Sequence, residues 1–386
     1  MSISKASYLK QITSNFHFKS TQLSADMDGA TPPSVFIGSF GYPKVQIGPM
    51  IAPEIENVEI FDTPEEWLKS KKTQEDIISY RLNLVRGKSE ASIFDFKNKL
   101  VQKIQEISLS DKSVSSHAKF SSIPKGFSFD DDSHAHGPSG NLSQFEIDNF
   151  YWNKRLEKAH YDSDLAAKDA IISLYNDGTN FSQIQKALST GSFGLNKNRK
   201  LVPTRWSITA VDSTLADHFL SKVKYHPILE NYRVYENSSL NNYYAVILIP
   251  TFFQYEWIEA FLSKTGQREY IFADFELSKK KIGYSSVGGC YYSAKLASLE
   301  ALDHMKIQAG VLILREANEN YVPLGVFNVR ENVKAALKGK FREFYSLRDS
   351  LTFASSRLSL PLSKFIEKGS LLRQLLSGSQ TTLLKF

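Results

Sequence analysis

Only one cysteine, Cys290, occurs in the 386 residues. That excludes an internal disulfide framework and any zinc or iron–sulfur site built on several thiolates. No apolar run approaches the ~18 residues that suggest a membrane-spanning helix. The opening stretch Met1-Ser-Ile-Ser-Lys-Ala6 lacks the apolar middle of a signal peptide. The expected compartment is therefore the cytoplasm, with no membrane partner. Internal repeats are absent. Gly288-Gly289 lacks both the Lys-Ser/Thr of a P-loop and the full spacing of a dinucleotide fingerprint. No nucleophile–base pair or metal box stands out, so catalysis stays open and no cofactor or metal is expected.

What is present fits a soluble globular protein: 42% hydrophobic and 23% charged residues, enough to bury one large core or two ordinary ones. The 26 Phe and 18 Tyr make large side chains the main core material. Net charge is +6, which permits contact with nucleic acid without requiring it. The positive charge gathers at Lys197 to Arg205, at Lys279-Lys-Lys281 and at Lys334 to Arg342. Each cluster alone reads as a solvated face; all three on one surface would read as a phosphate-binding face.

The chain centres on Lys200-Leu-Val-Pro-Thr-Arg-Trp-Ser-Ile-Thr-Ala-Val-Asp212. Alternation predicts a strand from Trp206 to Val211, stopped by Asp212 and followed by a helix from Ser213 to Leu220. Arg205 and Trp206 would then stand at the mouth of a central strand. Such a pair can hold an anion, but taken alone it reads as an arginine stacked on a core tryptophan.

Residues 1 to about 30 read as a flexible arm. Ser34 to Gly38 and Lys44 to Ile47 read as strands, the second ending at Gly48-Pro49. Between them, Gly41-Tyr-Pro-Lys44 makes a turn that can hold a phosphate or serve as a plain hairpin. Thr63 is placed as a helix cap with Glu66 at the capping-box position. Helices are predicted over Thr73–Val85, Ile93–Ile107, Asp162–Asn176 and Phe181–Leu188. Residues 108 to 145 read as a long surface excursion carrying Asp130-Asp-Asp132 and His134-Ala-His136, taken as solvated. Tyr243–Pro250 reads as a buried strand and Gln254–Leu262 as a helix. Asp274 and Glu276 share one face of a strand over Glu269–Glu276. That spacing suits a Mg²⁺ pair or, by preference, the wet face of an edge strand. Gly288-Gly289 opens a helix over Tyr291–Lys306, a workable anion site. Gly310–Arg315 and Pro323–Val329 read as strands, with Asn328 and Glu331 capping the next helix. Helices are predicted over Phe341–Leu351 and Leu360–Leu376, with Ser377-Gly-Ser379 freeing a short tail. The sum is α+β: mixed sheet or sheets surrounded by helices, without a regular βαβ rhythm.

Several segments carry a resemblance. They are Pro32-Pro-Ser-Val-Phe-Ile-Gly38, Gly41-Tyr-Pro-Lys-Val45, Ile47-Gly-Pro49, Gly288-Gly289 with Tyr291-Tyr292, and Arg315-Glu316. Tyr321, Pro323-Leu-Gly-Val326 and Val329-Arg-Glu331 complete the set, together with the central stretch. The chain resembles the archaeal NreA family, proteins linked to DNA repair. Many relatives begin with a cysteine cluster, which this chain lacks. The resemblance implies a division into residues 31–275 and 276–376, and participation in DNA repair through the sliding clamp PCNA. It supplies no known reaction.

The end, Gln380-Thr-Thr-Leu-Leu-Lys-Phe386, looks like a PCNA-interacting peptide within a 377–386 tail. Leu383 and Phe386 would fill a groove on the clamp while Gln380 hydrogen-bonds at its rim. The candidate ligand or phosphate contacts are Tyr42, Lys44, Arg205, Trp206, Gly288 and Gly289, with DNA as a second partner. The rival readings are an enzyme acting on DNA or a nucleotide, and a pure repair scaffold.

Overall fold

The computed structural model of the protein describes residues 23–383, except 54–56, 128–134, 149, 263–268, 278–280 and 282; for 379–383 it describes the backbone alone. The fold is α+β, as the sequence predicts, with two mixed six-stranded sheets accompanied by helices. Packing divides the chain into an N-terminal unit, running to Leu215 and including Pro323–Gly325, and a C-terminal unit formed by Ala216–Val322 and Val326 onward.

The N-terminal sheet contains β1 (Asp26–Thr31), β2 (Val35–Ile37), β3 (Lys44–Ile51), β4 (Val85–Ser92), β5 (Val114–Phe120) and β6 (Ser139–Ile147). Their order is β1-β5-β6-β4-β3-β2. β4 and β6 are parallel, and the other neighbours are antiparallel. A bridge from Ala30 to Ala52, just past β3, curls the sheet. Its helices are α1 (Pro64–Trp67), α2 (Gln74–Leu82), α3 (Lys99–Leu109), α4 (Lys154–Tyr161), α5 (Ala167–Asn176) and α6 (Phe181–Ser189); α7 (Thr204–Val223) starts directly after Pro203.

Alternation decides the two faces of this sheet. Val35, Ile37, Val45, Ile47, Val85 and Ala91 enter a core with Val101, Ile104 and Ile107 of α3. Each valine or isoleucine among them, when fully buried, contributes about 1.5–3 kcal/mol. The residues between them, Phe36, Gln46, Arg86 and Lys88, fall on the opposite face.

The C-terminal sheet contains β7 (Tyr232–Ser239), β8 (Asn242–Ile249), β9 (Tyr255–Leu262), β10 (Glu269–Glu276), β11 (Gly310–Ala317) and β12 (Phe341–Phe344), in order β10-β9-β11-β8-β7-β12. Its helices are α8 (Gly289–Met305), α9 (Phe327–Lys338), α10 (Leu347–Ser355), α11 (Leu362–Lys368) and α12 (Ser370–Leu383). One sheet face packs Ala245, Ile247, Ile258, Leu312 and Leu314 against Leu351, Phe365 and Leu372 of the last three helices. The other meets α8 and α9: the Tyr255 hydroxyl donates to Tyr291 O at 3.1 Å, and Asn237 donates to Asn332 at 2.6 Å.

Several expectations are overturned. Trp206–Val211 is not a strand but the opening of α7, which also absorbs Asp212. Ile208, Val211, Leu215 and Phe219 are buried at helical spacing, and that period over 20 residues outweighs six residues of alternation. Gln254–Leu262 is not a helix but β9, hydrogen-bonded on both sides. Glu256 and Glu259 in it are both buried and hydrogen-bonded. Glu256 accepts the N–H groups of Ser370, Leu371 and Leu372, so it caps α12. Glu259 pairs with Arg315 at 2.8 Å.

The excursion over 108–145 contains β5 and β6. β3 runs through Gly48-Pro49 to Ile51; at Gly48 a Cβ would meet Gly87 O at 2.1 Å, so glycine permits the close approach. Pro323–Val329 is not a strand, and Asn328 is a buried residue inside α9 rather than its cap. Phe341–Leu351 divides into β12 and α10. Thr63 makes no side-chain cap; its hydroxyl donates back to Glu59 O at 2.7 Å. α12 continues through Ser377-Gly-Ser379 to Leu383, so the expected break is absent. Of the expected arm, Asp26–Thr31 forms β1, and residues 1–22 lie outside the described residues.

Candidate functional site

A cleft of about 440 Å³ opens on the outer face of the N-terminal sheet. Strand β2 and the loop after it supply Ser34, Phe36, Gly38, Ser39 and Phe40. β4 supplies Arg86 and Lys88, two residues apart and therefore on one side. The Arg86 guanidinium lies 3.6 Å from the centre of the Phe36 ring. Lys88 pairs through its backbone with Asn141 of β6, and its side chain is half-buried at the cleft. Pro203, Thr204 and Arg205 add the start of α7. The Ile37 N–H donates to Thr204 Oγ1 at 3.0 Å and pins that first turn to β2.

The floor is a buried charge network. Asp62 pairs with Arg81 through Nη1 and with Lys186 through Nζ at 2.9 Å, and all three are at most 4% exposed. Arg81 Nε also donates to Ala135 O at 2.7 Å, and Lys186 Nζ to Asp62 O at 2.9 Å. Burial draws the Arg81 guanidinium below its ordinary range, against the opposing pull of Asp62. Two buried cations share one carboxylate, which leaves positive charge beneath the cleft.

His136 joins this lining and is buried. Its Nδ1 lies 2.7 Å from Gly137 O, which can only accept, so Nδ1 carries the proton and Nε2 the lone pair. Burial, reinforced by the nearby Arg86 charge, brings its pKa from 6.5 down to about 3. The imidazole is therefore neutral in a cationic cleft. A histidine of pKa about 3 when folded binds its proton only in the unfolded chain between pH 6.5 and 3. Stability is unaffected by this group above pH 6.5 and should fall by about 1.4 kcal/mol per unit as pH drops below it. Denaturant unfolding at pH 7 and pH 5 should show His136→Asn sparing about 2 kcal/mol of the wild-type loss. Identical losses in the two proteins would contradict the buried neutral state.

Three sequence-predicted residues gather at the rim. Arg205 and Trp206 occupy the first turn of α7, and Arg205 is exposed. Trp206 is 48% exposed, not a core residue. The Tyr42 ring lies 5.2 Å from that of Trp206, tilted by 49°. Phe40, 95% exposed, lies two residues before Tyr42 in the same loop and joins the cleft lining. Lys44 opens β3 with its N–H on Gly41 O at 3.0 Å; it is exposed and is not part of the cleft lining.

Gly288 and Gly289 belong to the C-terminal unit. Gly288 precedes α8 with φ 76°, and Gly289 is buried. Asp274 and Glu276, expected on a wet face, are buried there and each meets a lysine. Asp274 accepts from Lys281 and Ser285, both at 2.6 Å, and Glu276 pairs with Lys295 at 2.5 Å. Among the described residues no group of three or more His, Cys, Asp or Glu is placed to hold a metal ion. Arg199 is anchored to Gly194 O and Asp162 O. Lys197 and Lys200 remain exposed. Asp130 to Asp132, His134, Lys279 and Lys280 lie outside the described residues.

Two family models match the chain: archaeal Nre, N-terminal, over residues 4–266, and archaeal Nre, C-terminal, over residues 276–386. The chain belongs to the archaeal Nre family. Curated Nre relatives match along most of their length. The DNA repair protein NreB of Archaeoglobus fulgidus is 36% identical, covering 95% of this chain and 93% of its own. The DNA repair protein NreA of the same organism is 34% identical, covering 85% and 84%. The DNA repair protein NreA of Haloferax volcanii is 28% identical, covering 96% and 91%. No solved structure matches the chain. The whole cleft falls within the span of the Nre N-terminal match. No helix among the described residues is long and apolar enough to cross a membrane.

Sequence reasoning missed Asp62, Arg81, Arg86, Lys88 and Lys186, and it assigned His136 to solvent. Arg86 and Lys88 did carry a signal: two cations at a spacing of two beside the apolar alternation of β4. The floor residues carried none, because residues 62, 81 and 186 meet only through the tertiary fold.

Proposed function

We propose that this protein acts in DNA repair and uses the N-terminal cleft to hold a phosphate-bearing nucleic acid. One observation carries the reading. Among the described residues, five basic side chains, Arg81, Arg86, Lys88, Lys186 and Arg205, line one cleft with a single carboxylate, Asp62. Charge of one sign between low-dielectric walls concentrates anions. The aromatic rim of Phe40, Tyr42 and Trp206 supplies stacking surfaces beside it, the usual partner of basic side chains in binding unpaired bases. The repair role is the one named for the Nre relatives. Recruitment would come from the sliding clamp PCNA through Gln380, Leu383 and Phe386, in the cytoplasm.

A second reading, an enzyme acting on DNA or a nucleotide, is favoured by His136, a neutral imidazole with an acceptor nitrogen in the cleft lining. The scaffold reading loses its main support, since Arg205 and Trp206 are not packed as core residues.

Arg205 provides the direct test. Arg205→Ala is expected to weaken single-stranded DNA binding about tenfold, the scale of one charge-assisted phosphate contact. Its melting temperature should stay unchanged, because the side chain is exposed. Fluorescence anisotropy at two salt concentrations, beside a thermal melt, measures both. Affinity should also fall with salt as phosphate contacts release counterions. A large drop in melting temperature with unaltered affinity would make Arg205 a packing residue and defeat the reading.

A further inference from the structure

We infer that the cleft takes one nucleotide carrying a phosphate monoester, as a strand terminus or a free nucleotide, and not the continuous backbone of a strand. The inference rests on the proposed phosphate-binding role and narrows it to a ligand class. Three observations carry it.

The first is shape. The lining passes from Phe40, 95% exposed, to Asp62, Arg81 and Lys186, each at most 4% exposed. One end of the cleft is therefore rim and the other is floor. A terminal monoester can reach down to such a floor, whereas an internal diester is held off it by the sugars joined on both sides. A volume of about 440 Å³ sits low in the ~300–1,000 Å³ range of small-molecule sites. A duplex cannot lower itself into it.

The second is charge. The Asp62 carboxylate is shared by Arg81 and Lys186, so among the described residues the floor keeps a net positive charge. Arg86, Lys88 and Arg205 stand above it. A monoester carries about −1.5 to −2 at pH 7, against −1 for each internal diester. This concentration of cations in one small volume suits the more highly charged group. The 20-residue α7 starts on the same wall, and the positive end of its dipole favours an anion there.

The third is the division of the site into a polar floor and an aromatic rim. Phosphate on the cations would set its base near Phe40, Tyr42 and Trp206, whose π-faces stack on any base. The site would then select for the phosphate end and not for sequence.

The test uses the full chain and short single-stranded oligonucleotides of one sequence, ending in 5′-phosphate, in 3′-phosphate, or in hydroxyl at both ends. Circular single-stranded DNA, a deoxynucleoside monophosphate and inorganic phosphate serve as competitors. One of the phosphorylated oligonucleotides should bind at least about tenfold tighter than the hydroxyl-ended one. The circle should compete poorly. That preference should disappear in Lys88→Gln and in Arg205→Ala, two substitutions at side chains that are not fully buried. Competition by the monophosphate as effective as by the phosphorylated strand would assign a free nucleotide, and weaker competition would assign the strand end. Equal affinity for phosphorylated, hydroxyl-ended and circular DNA, still reduced by Arg205→Ala, would overturn the inference and leave the cleft as a general DNA contact. DNA binding indifferent to both substitutions would overturn the reading of the cleft itself.

Discussion

Asp62→Ala should destabilise the protein by about 3–5 kcal/mol, the range for removing one partner of a buried ion pair. Asp62 holds Arg81 and Lys186 at once, and all three are nearly inaccessible to solvent. Truncation leaves two cations beneath a cleft that already contains Arg86 and Lys88. Neither can move into water without unpacking α2 or α6, so the desolvation cost of both persists. The loss also touches Phe61 O and Ala135 O, which accept from Arg81 and would lose their donor if it withdrew. Asp62→Asn keeps the volume and a carbonyl acceptor but removes the charge, and should fall between alanine and wild type. Urea unfolding of the three proteins at neutral pH measures this. A loss below about 1 kcal/mol for alanine, the scale of an exposed pair, would mean that the network is solvated. A phosphate-bearing ligand should partly rescue the wild type against denaturant by mass action and Asp62→Ala less, because the floor that receives it would be disordered.

The sequence carried the elements with one clear period and lost those where two signals compete. β8 is a continuous apolar run and α8 a long apolar stripe, and both were legible. The start of α7 reads as a strand because Trp206, Ile208 and Ala210 alternate with Ser207, Thr209 and Val211. The longer spacing through Leu215 and Phe219 was the better guide. Gln254–Leu262, with Glu256, Trp257 and Glu259, reads as a helix but forms β9. In the fold, those carboxylates are filled by the first turn of α12 and by Arg315, partners more than fifty residues away. The wet face assigned to Asp274 and Glu276 failed for the same reason: Lys281, Ser285 and Lys295 reach them from the loop and helix that follow β10. For the site, the rim was visible as Gly41-Tyr-Pro-Lys44 and Arg205-Trp206, since unusual residues cluster locally in the chain. Their meeting, and the charged floor beneath, exist only after β2, β4, α6 and α7 come together.

Removing residues 380–386 is expected to abolish binding to the sliding clamp of the protein's own organism. The pattern Gln380, Leu383, Phe386 places an amide, an aliphatic and an aromatic side chain at intervals of three. In a 3₁₀ turn, residues so spaced fall on one side, so Leu383 and Phe386 can enter one groove while Gln380 bonds at its edge. The backbone of Gln380–Leu383 continues α12, and Leu384, Lys385 and Phe386 lie outside the described residues. An α-helical start does not oppose the prediction, because side chains three apart are also neighbours on an α-helix. Gly378 within the last turns costs the helix about 1 kcal/mol relative to alanine, so rewinding the end into a tighter turn is inexpensive. Ordering the tail still costs entropy, which keeps single-site affinity modest, while a ring of clamp subunits can gather several such tails. Phe386→Ala alone should cost at least about 2 kcal/mol, roughly thirtyfold, if the aromatic side chain is the buried anchor. Titration calorimetry of the full-length protein, the deletion and Phe386→Ala against the clamp separates the outcomes. Equal binding by intact and truncated chains would place the contact elsewhere. A tail protected from proteolysis in the free protein, with no gain on adding clamp, would mean that Leu383 and Phe386 dock on the body of their own chain.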